Sequence, residues 1–355
     1  MPDKSISIIL VVHNASSWLK MTLDSISTQT YPSNQMEILI LDNASTDNTI
    51  EIIKKELPAI RHSLFASNSN VGFWAGVEKL LPNAKGEYVI ACTDAIMDPH
   101  FIERSIEVME QDKSIGALQA KIYQIQKAVG SEQKAVIDTC GFKIEKSRRV
   151  TNLGHGEEDH GQYDAQREIF AVEGAVPVFR RSALEDCKMK ELPTAHCPLP
   201  SSWLVDPDFR VGSFGYGDDL DVAWRMRLFG WKQILAPNVI AYHDRSTTKG
   251  LAKTVFASLH RRALRSRIDI RKRRLDWSNV RFTIIKNDYI INLCKDLPYI
   301  LVRELMVLGY TVLFEPAALL EAFRFFNLLP TMLRRRHQVM QKAKTSPQDM
   351  RKWFL

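Results

Sequence analysis

Residues 5–42 read SISIILVVHNASSWLKMTLDSISTQTYPSNQMEILILD. The stretch opens with SISIILVV (5–12), a short apolar, β-branched run of the kind that forms a strand buried on both faces. NASSWLKMTLDSISTQ follows, with Trp18, Leu19, Leu23 and Ile26 near one helical face and Asn14 or Ser16 available as a cap. MEILILD (36–42) returns to an apolar strand and ends on an acid. The same alternation continues. STDNTIEIIKKEL reads as a helix, AIRHSLFAS as a strand and VGFWAGVEKLLPNA as a helix. GEYVIACTD is a strand, PHFIERSIEVMEQ a helix opened by proline, and IGALQAKIYQI a fifth strand. Strands and helices alternating at this spacing predict an α/β, Rossmann-like fold with a mostly parallel central sheet and helices on both faces.

Ligands of such sheets bind beyond the carboxyl ends of the strands. Asn14, Asp42 with Asn43, Asn68 to Asn70, and Asp94 all fall at those ends. One polar residue at a strand end is ordinary turn chemistry; four strands that each end in Asn or Asp point to a site. Neither a P-loop nor a glycine-rich dinucleotide fingerprint follows the first strand, so a nucleotide would be held in another way. Asp42 can accept from a base N–H, backbone at Val12–Asn14 can line the base, and Asn70 can reach ribose or phosphate. Asp94 offers a hard carboxylate oxygen to a divalent cation that also binds phosphates. His243, at the end of the late strand-like run QILAPNVIAYHD, is a further ligand or a structural histidine. FGYGDDLDVAWR (214–225) crowds Asp218, Asp219 and Asp221 ahead of Arg225. Acids there suit a helix N-terminus, and they equally suit a catalytic carboxylate with its neighbours.

The chain has 355 residues, 45% hydrophobic, which is enough for a large core and argues against disorder; its formal net charge of +7 suggests an anionic partner. Five scattered cysteines without a CxxC pair read as reduced thiols of a cytosolic protein. Cys187, His196 and Cys197 lack an evident fourth ligand for zinc. No run of about 18 uncharged apolar residues is seen, so no spanning helix is expected. HRRALRSRIDIRKRR (260–274) carries eight basic residues against one acid, and apolar helical stretches follow it. These features predict a boundary near 245–255. Residues 1–250 are expected as the α/β domain that carries the strand-end site, and residues 251–355 as a basic, amphipathic helical extension suited to a membrane surface.

Three segments, SISIILVVHNASSWLKMTLDSISTQTYPSNQMEILILDNASTDNT, NSNVGFWAGVEKLLPNAKGEYVIACTD and GYGDDLDVAWRMRLFGWKQILAPNVIAYH, resemble the successive motifs of family 2 glycosyltransferases with the GT-A fold. FAVEGAVPVFRRSAL (170–184) is similar to the rhamnosyltransferase-like branch. The likeness covers roughly residues 5–245. It implies an inverting transfer of a sugar, rhamnose among the candidates, from a dTDP- or UDP-sugar to a glycan or lipid-linked acceptor of cell-surface polysaccharide synthesis. By position it implies nucleotide-sugar contacts at Val12, Asn14, Asp42, Asn43, Asn70, Gly72, Thr93 and Asp94. It further implies a divalent metal, Mg²⁺ or Mn²⁺, at Asp94 and His243, and Asp219 as catalytic base, with Asp218, Asp221 and Arg225 in support. The implied place is the cytoplasm, peripherally on the inner face of the plasma membrane.

The sequence departs from the family pattern at Cys92, which stands where the first acid of the metal motif belongs. It departs also at Asp218, which replaces a Glu, at Gly76-Val77, and at the bulky Trp74. The Cys92 departure leaves open a non-catalytic nucleotide-sugar binder. The basic charge leaves open a nucleic-acid-binding protein, although no reading motif accompanies it and no nucleic acid partner is expected.

Overall fold

The computed structural model describes residues 4–57, 60–125, 135–190, 202–211, 214–215, 217–243 and 270–355. The boundary predicted near 245–255, most of the basic run, and His196 and Cys197 lie outside them. Four parallel strands set the frame: β1 (Ile6–Val12), β2 (Met36–Asp42), β3 (Arg61–Ala66) and β4 (Tyr88–Cys92). Beyond them come β5 (Ile96–Met97), β6 (Ile115–Gln124), β7 (Ile137–Thr139), β10 (Arg167–Glu168), β11 (Val178–Arg180) and β16 (Lys232–His243). Hairpins are made by β8 (Phe142–Ile144) with β9 (Val150–Asn152), β12 (Met189–Lys190) with β13 (Ser202–Trp203), and β14 (Arg210–Val211) with β15 (Phe214–Gly215).

The strand order is β10-β16-β6-β11-β4-β1-β2-β3. β11 runs antiparallel between β4 and β6, and β16 runs parallel to β6. The sheet is thus mostly parallel, as the alternation predicts, with one reversed strand in its middle. The order turns back between β1 and β4, which is the switch point where such sheets open a crevice.

Every residue of β1 is buried, and its side chains alternate between two cores. Ile9 and Val11 join Leu39, Leu41, Trp74 and Trp224 on one face; Ile8, Leu10 and Val12 join Leu19, Leu23, Ile53, Phe101 and Ile106 on the other. Helices α1 (Leu19–Ser27), α2 (Thr49–Glu56) and α4 (Phe101–Gln111) therefore cover one face, and α3 (Phe73–Leu80), α5 (Arg181–Asp186) and α6 (Asp218–Leu228) the other. Neither expected cap of α1 forms, because the helix starts after Trp18. Asn14 instead accepts from the Thr46 N–H at 2.8 Å, and the Ser16 N–H donates to Asp47.

The C-terminal helices are α7 (Ile270–Asn287), α8 (Ile290–Lys295), α9 (Leu297–Phe314), α10 (Glu321–Lys342) and α11 (Pro347–Arg351). They are stitched to the α/β body by buried charge. Arg148 has no exposure and bonds to Asp288 at 2.6 Å and Asp296 at 3.0 Å. The Leu355 N–H donates to the Ile144 carbonyl, and the Phe354 ring lies under the Arg148 guanidinium. α9 is 18 residues long with mean hydropathy 1.5, so among the described residues one helix is long and apolar enough to cross a membrane by length and composition. Its Arg303 and Glu304 broke the uncharged run sought in the sequence, but they pair with each other at 2.6 Å.

Candidate active site

The strand-end asparagines build a scaffold. The Asn43 Oδ1 accepts from the Val71 N–H at 2.8 Å, and its amide donates to the Asn70 Oδ1 at 3.0 Å. The Asn70 Oδ1 also accepts from the Gly72 N–H. Gly72 has φ +84°, which glycine alone adopts cheaply, and it turns the chain into α3. Asn43 and Asn70 thus hold the 67–72 loop against the end of β2. The Asn43 N–H donates to the Val12 carbonyl, tying β1 to the same point. Asp42 is buried, and its Oδ1 accepts from the Ser45 N–H at 3.2 Å. Val12, Asn14, Asp42, Asn43, Asn70 and Gly72, far apart in sequence, therefore converge on one end of β1 and β2.

A second group sits at the ends of β4 and β16. His243 Nε2 lies 3.3 Å from Asp94 Oδ1, and its Nδ1 lies 3.0 Å from the Oδ2 of fully buried Asp138. Burial opposes a charge on His243, but hydrogen bonds and charge from Asp138 and Asp94 outweigh it and raise the imidazole pKa to about 10. His155 Nδ1 approaches the Asp138 carbonyl at 2.7 Å, closing a row of Asp94, His243, Asp138 and His155. Asp138 and His155 were not foreseen. Asp138 stands 105 residues before His243, and no motif in the sequence links the two.

Asp94 and His243 are brought together as a carboxylate and an imidazole. With the His243 pKa at about 10, its Nε2 carries a proton toward Asp94, so a divalent cation bound there would have to displace that proton. No group of three or more His, Cys, Asp or Glu side chains suited to a metal occurs among the described residues. Other ligands would be phosphate oxygens and water. Cys92 does not replace the missing acid. It is fully buried beneath the site, and burial pushes its thiol up to about 12, so the sulfur stays protonated. Thr93 connects Cys92 to Asp94 and is partly exposed.

The three acids of α6 part company. Gly217, at φ +80°, is the N-cap, and no side chain caps the helix, so the capping reading of Asp218 and Asp221 is corrected. Asp218 is buried, packs against Gly215, and is pushed up to about 8 by burial, which Arg210 offsets only in part; nearby acids add to the rise. It is a neutral acid at pH 7. Asp221 is buried and takes Lys286 at 3.0 Å, Arg225 at 3.2 Å and the Asn287 amide at 2.8 Å. Burial opposes its charge, but Lys286 and Arg225 hold it below the usual carboxylate range. Its pairing with Arg225 is as expected; Lys286 and Asn287, from α7, were not foreseen. Only Asp219 is not buried. It lies where a Cβ on Gly174 would come 3.2 Å from its Oδ2 and 3.4 Å from the Trp74 indole nitrogen. The segment before β11 and the first turn of α3 therefore both wall the candidate base.

Comparison with known proteins bears on the family and the fold. A model of glycosyl transferase family 2 matches residues 7–186, just over half of the chain. A dolichyl N-acetyl-alpha-D-glucosaminyl phosphate 3-beta-D-2,3-diacetamido-2,3-dideoxy-beta-D-glucuronosyltransferase of Methanococcus voltae is 26% identical over 254 residues, 70% of each chain. The first curated relatives, led by glycosyltransferase GlyA of Streptococcus pneumoniae, align over only 12% to 35% of their own length. Among solved structures, residues 1–349 of S. aureus TarS with UDP-GlcNAc match at TM-score 0.53 and 14% identity, covering 99% of this chain and 92% of that one. GalNAc-T7 with UDP, GalNAc and Mn²⁺ matches at TM-score 0.50 and 14% identity, covering 79% and 51%. At such identities the structural likeness shows the fold, which is GT-A. The chain belongs to glycosyl transferase family 2.

Proposed function

We propose that the protein is an inverting glycosyltransferase that moves a sugar from a nucleoside-diphosphate donor to a hydroxyl of a glycan or lipid-linked acceptor. The observation that carries this reading is the division of labour on α6. Asp218 is buried and neutral, Asp221 is buried in ion pairs, and Asp219 alone of the three is only partly buried. An acceptor hydroxyl has a pKa far above 7 and needs a placed base as it attacks the anomeric carbon. Asp219 takes that proton. One displacement inverts the anomeric centre, without the covalent intermediate of a retaining glycosidase.

Asp42 and the backbone at Val12–Asn14 receive the pyrimidine of a dTDP- or UDP-sugar, and Gly72 and Thr93 line its path. Asp94, together with His243 once its Nε2 proton is displaced, would hold a divalent cation, Mg²⁺ or Mn²⁺, which would supply charge to offset the developing diphosphate. Asp138 keeps the His243 Nδ1–H bonded, so that Nε2 faces Asp94. The resemblance to the rhamnosyltransferase-like branch supports rhamnose as the sugar and cell-surface polysaccharide as the product. The net charge of +7 and the exposed apolar C-terminal helices support residence on the inner face of the plasma membrane, with residues 251–355 as the attaching region.

Asp219→Asn tests the assignment. Transfer should fall by roughly 10²–10⁴, while the donor nucleotide still raises the melting temperature as in wild type. Persistent transfer removes Asp219 as the base. A wild type that binds nucleotide sugars, and neither transfers nor hydrolyses them, is a non-catalytic binder.

A further inference from the structure

α9 is folded inside out. Ile300, Arg303, Glu304, Val307, Tyr310 and Thr311 recur at three- and four-residue spacing as the less exposed stripe. That stripe contains both charged residues of the helix. Glu304 accepts from the Arg281 guanidinium of α7 at 2.5 and 3.0 Å, and Arg303 adds a bond at 2.6 Å. The opposite stripe, which includes Leu301, Leu305, Met306, Leu308, Val312 and Leu313, is fully apolar and points outward, with Leu305 at 67% and Leu313 at 73% exposure. A soluble surface helix shows the reverse pattern. Of the twenty exposed large hydrophobic side chains among the described residues, sixteen lie between Ile290 and Leu333. Exposed apolar surface on this scale marks an interaction site.

We infer that α9 lies flat in the headgroup–acyl boundary of an anionic bilayer, its outward stripe inserted and its inward stripe fixed to the protein. The inference rests on the membrane residence proposed above, and it names the inserting element and its orientation. The ion pairs decide against spanning. A transmembrane α9 would leave Arg281 behind and carry Arg303 and Glu304 into hydrocarbon, where charged groups are costly. Lying flat keeps both pairs. Charge favours an anionic surface over a second copy of the chain. Lys146 lies 6.0 Å from the Tyr299 ring at one end of α9, Arg273 is neutralised by Glu315 at 3.7 Å at the other, and the whole chain is cationic. Two copies facing each other through α9 would bring Lys146 and two net-cationic molecules together.

The test is vesicle flotation of the full chain with phosphatidylcholine vesicles and with vesicles containing a third phosphatidylglycerol. Wild type is compared with the triple variant Leu305→Ser, Met306→Ser, Leu313→Ser. All three positions are exposed, and circular dichroism and melting temperature confirm folding. Wild type should float with the anionic vesicles, more at low salt, and the variant should float at least tenfold less. Equal flotation of the two overturns α9 as the inserting element while leaving membrane residence intact. No flotation of wild type overturns membrane residence itself. A wild-type dimer that becomes a monomer in the variant, without flotation by either, assigns the stripe to self-association and overturns the inference. A nitroxide on Leu305→Cys, with Cys294 and Cys197 changed to Ser, should report a depth of about 5–10 Å below the phosphates; a reading at the bilayer centre overturns the flat orientation.

Discussion

Replacing Asp218 by asparagine should change stability in opposite directions at low and high pH. In the folded protein burial raises this carboxyl to about 8. In the unfolded chain it titrates near 3.9. Because the folded pKa is the higher one, the protonated form contributes stability that is complete below about pH 4 and lost as pH rises to 8. The loss is about 1.4 kcal/mol per pH unit, or roughly 5 kcal/mol at pH 7.5 as a ceiling. Asparagine resembles the neutral acid and does not titrate, so it removes that loss. Its amide adds donors to a pocket where Asp218 Oδ1 already has no hydrogen-bond partner, at a pH-independent cost of about 2 kcal/mol. The two terms balance near pH ~5.4. Below that the variant is the less stable protein; at pH 7.5 it gains about 3 kcal/mol. Urea or thermal unfolding of both proteins at pH 5, 6.5 and 7.5 reads the difference. A stability gap that stays constant across this range refutes a neutral Asp218, and with it the reason for singling out Asp219.

Gly174→Ala places a Cβ 3.2 Å from Asp219 Oδ2 and 3.4 Å from the Trp74 indole nitrogen. A displaced base should lower transfer by roughly 10²-fold with little change in melting temperature, and a variant that melts early without a specific loss of kcat contradicts this. Asp138→Asn should weaken Mn²⁺ binding in the presence of nucleoside diphosphate by about 10–100-fold in calorimetry; unchanged affinity shows that Asp138 does not orient His243. Arg148→Met leaves Asp288 buried without its 2.6 Å partner, at a cost of about 3–5 kcal/mol near pH 8. The cost should shrink at pH 5, since burial already raises Asp288 to about 6, which lets it protonate. A pH-independent cost in denaturant unfolding argues against the charge account.

The convergence of the strand ends was legible in the sequence. Asp42, Asn43 and Asp94 end or follow apolar strands, Asn70 follows the more polar β3, and a parallel sheet must bring such ends to one rim. What those residues do there was only partly legible. Asn43 and Asn70 spend their side-chain amides on holding a loop, a role that depends on hydrogen bonds across 27 residues. The metal-motif departure at Cys92 was visible as a letter. Its chemical meaning, a thiol too buried to ionise, needed the structure.

The sequence by itself determined the parallel frame of the sheet, because strand burial and strand–helix alternation are local patterns with fixed periods, and the order of its motifs carried the resemblance to the family; the reversed strand β11 came from the structure. The resemblance already singled out Asp219 among the three acids of α6; the tertiary structure added the different surroundings of Asp218, Asp219 and Asp221. Three identical side chains within four positions differ only in what surrounds them, and the surroundings come from α7, Arg210 and the Gly174 segment. It also supplied Asp138 behind His243 and turned α9 apolar face outward. Ionisation follows local dielectric and neighbouring charge, and exposure follows packing; both belong to groups brought together from distant parts of the chain, which no local period encodes.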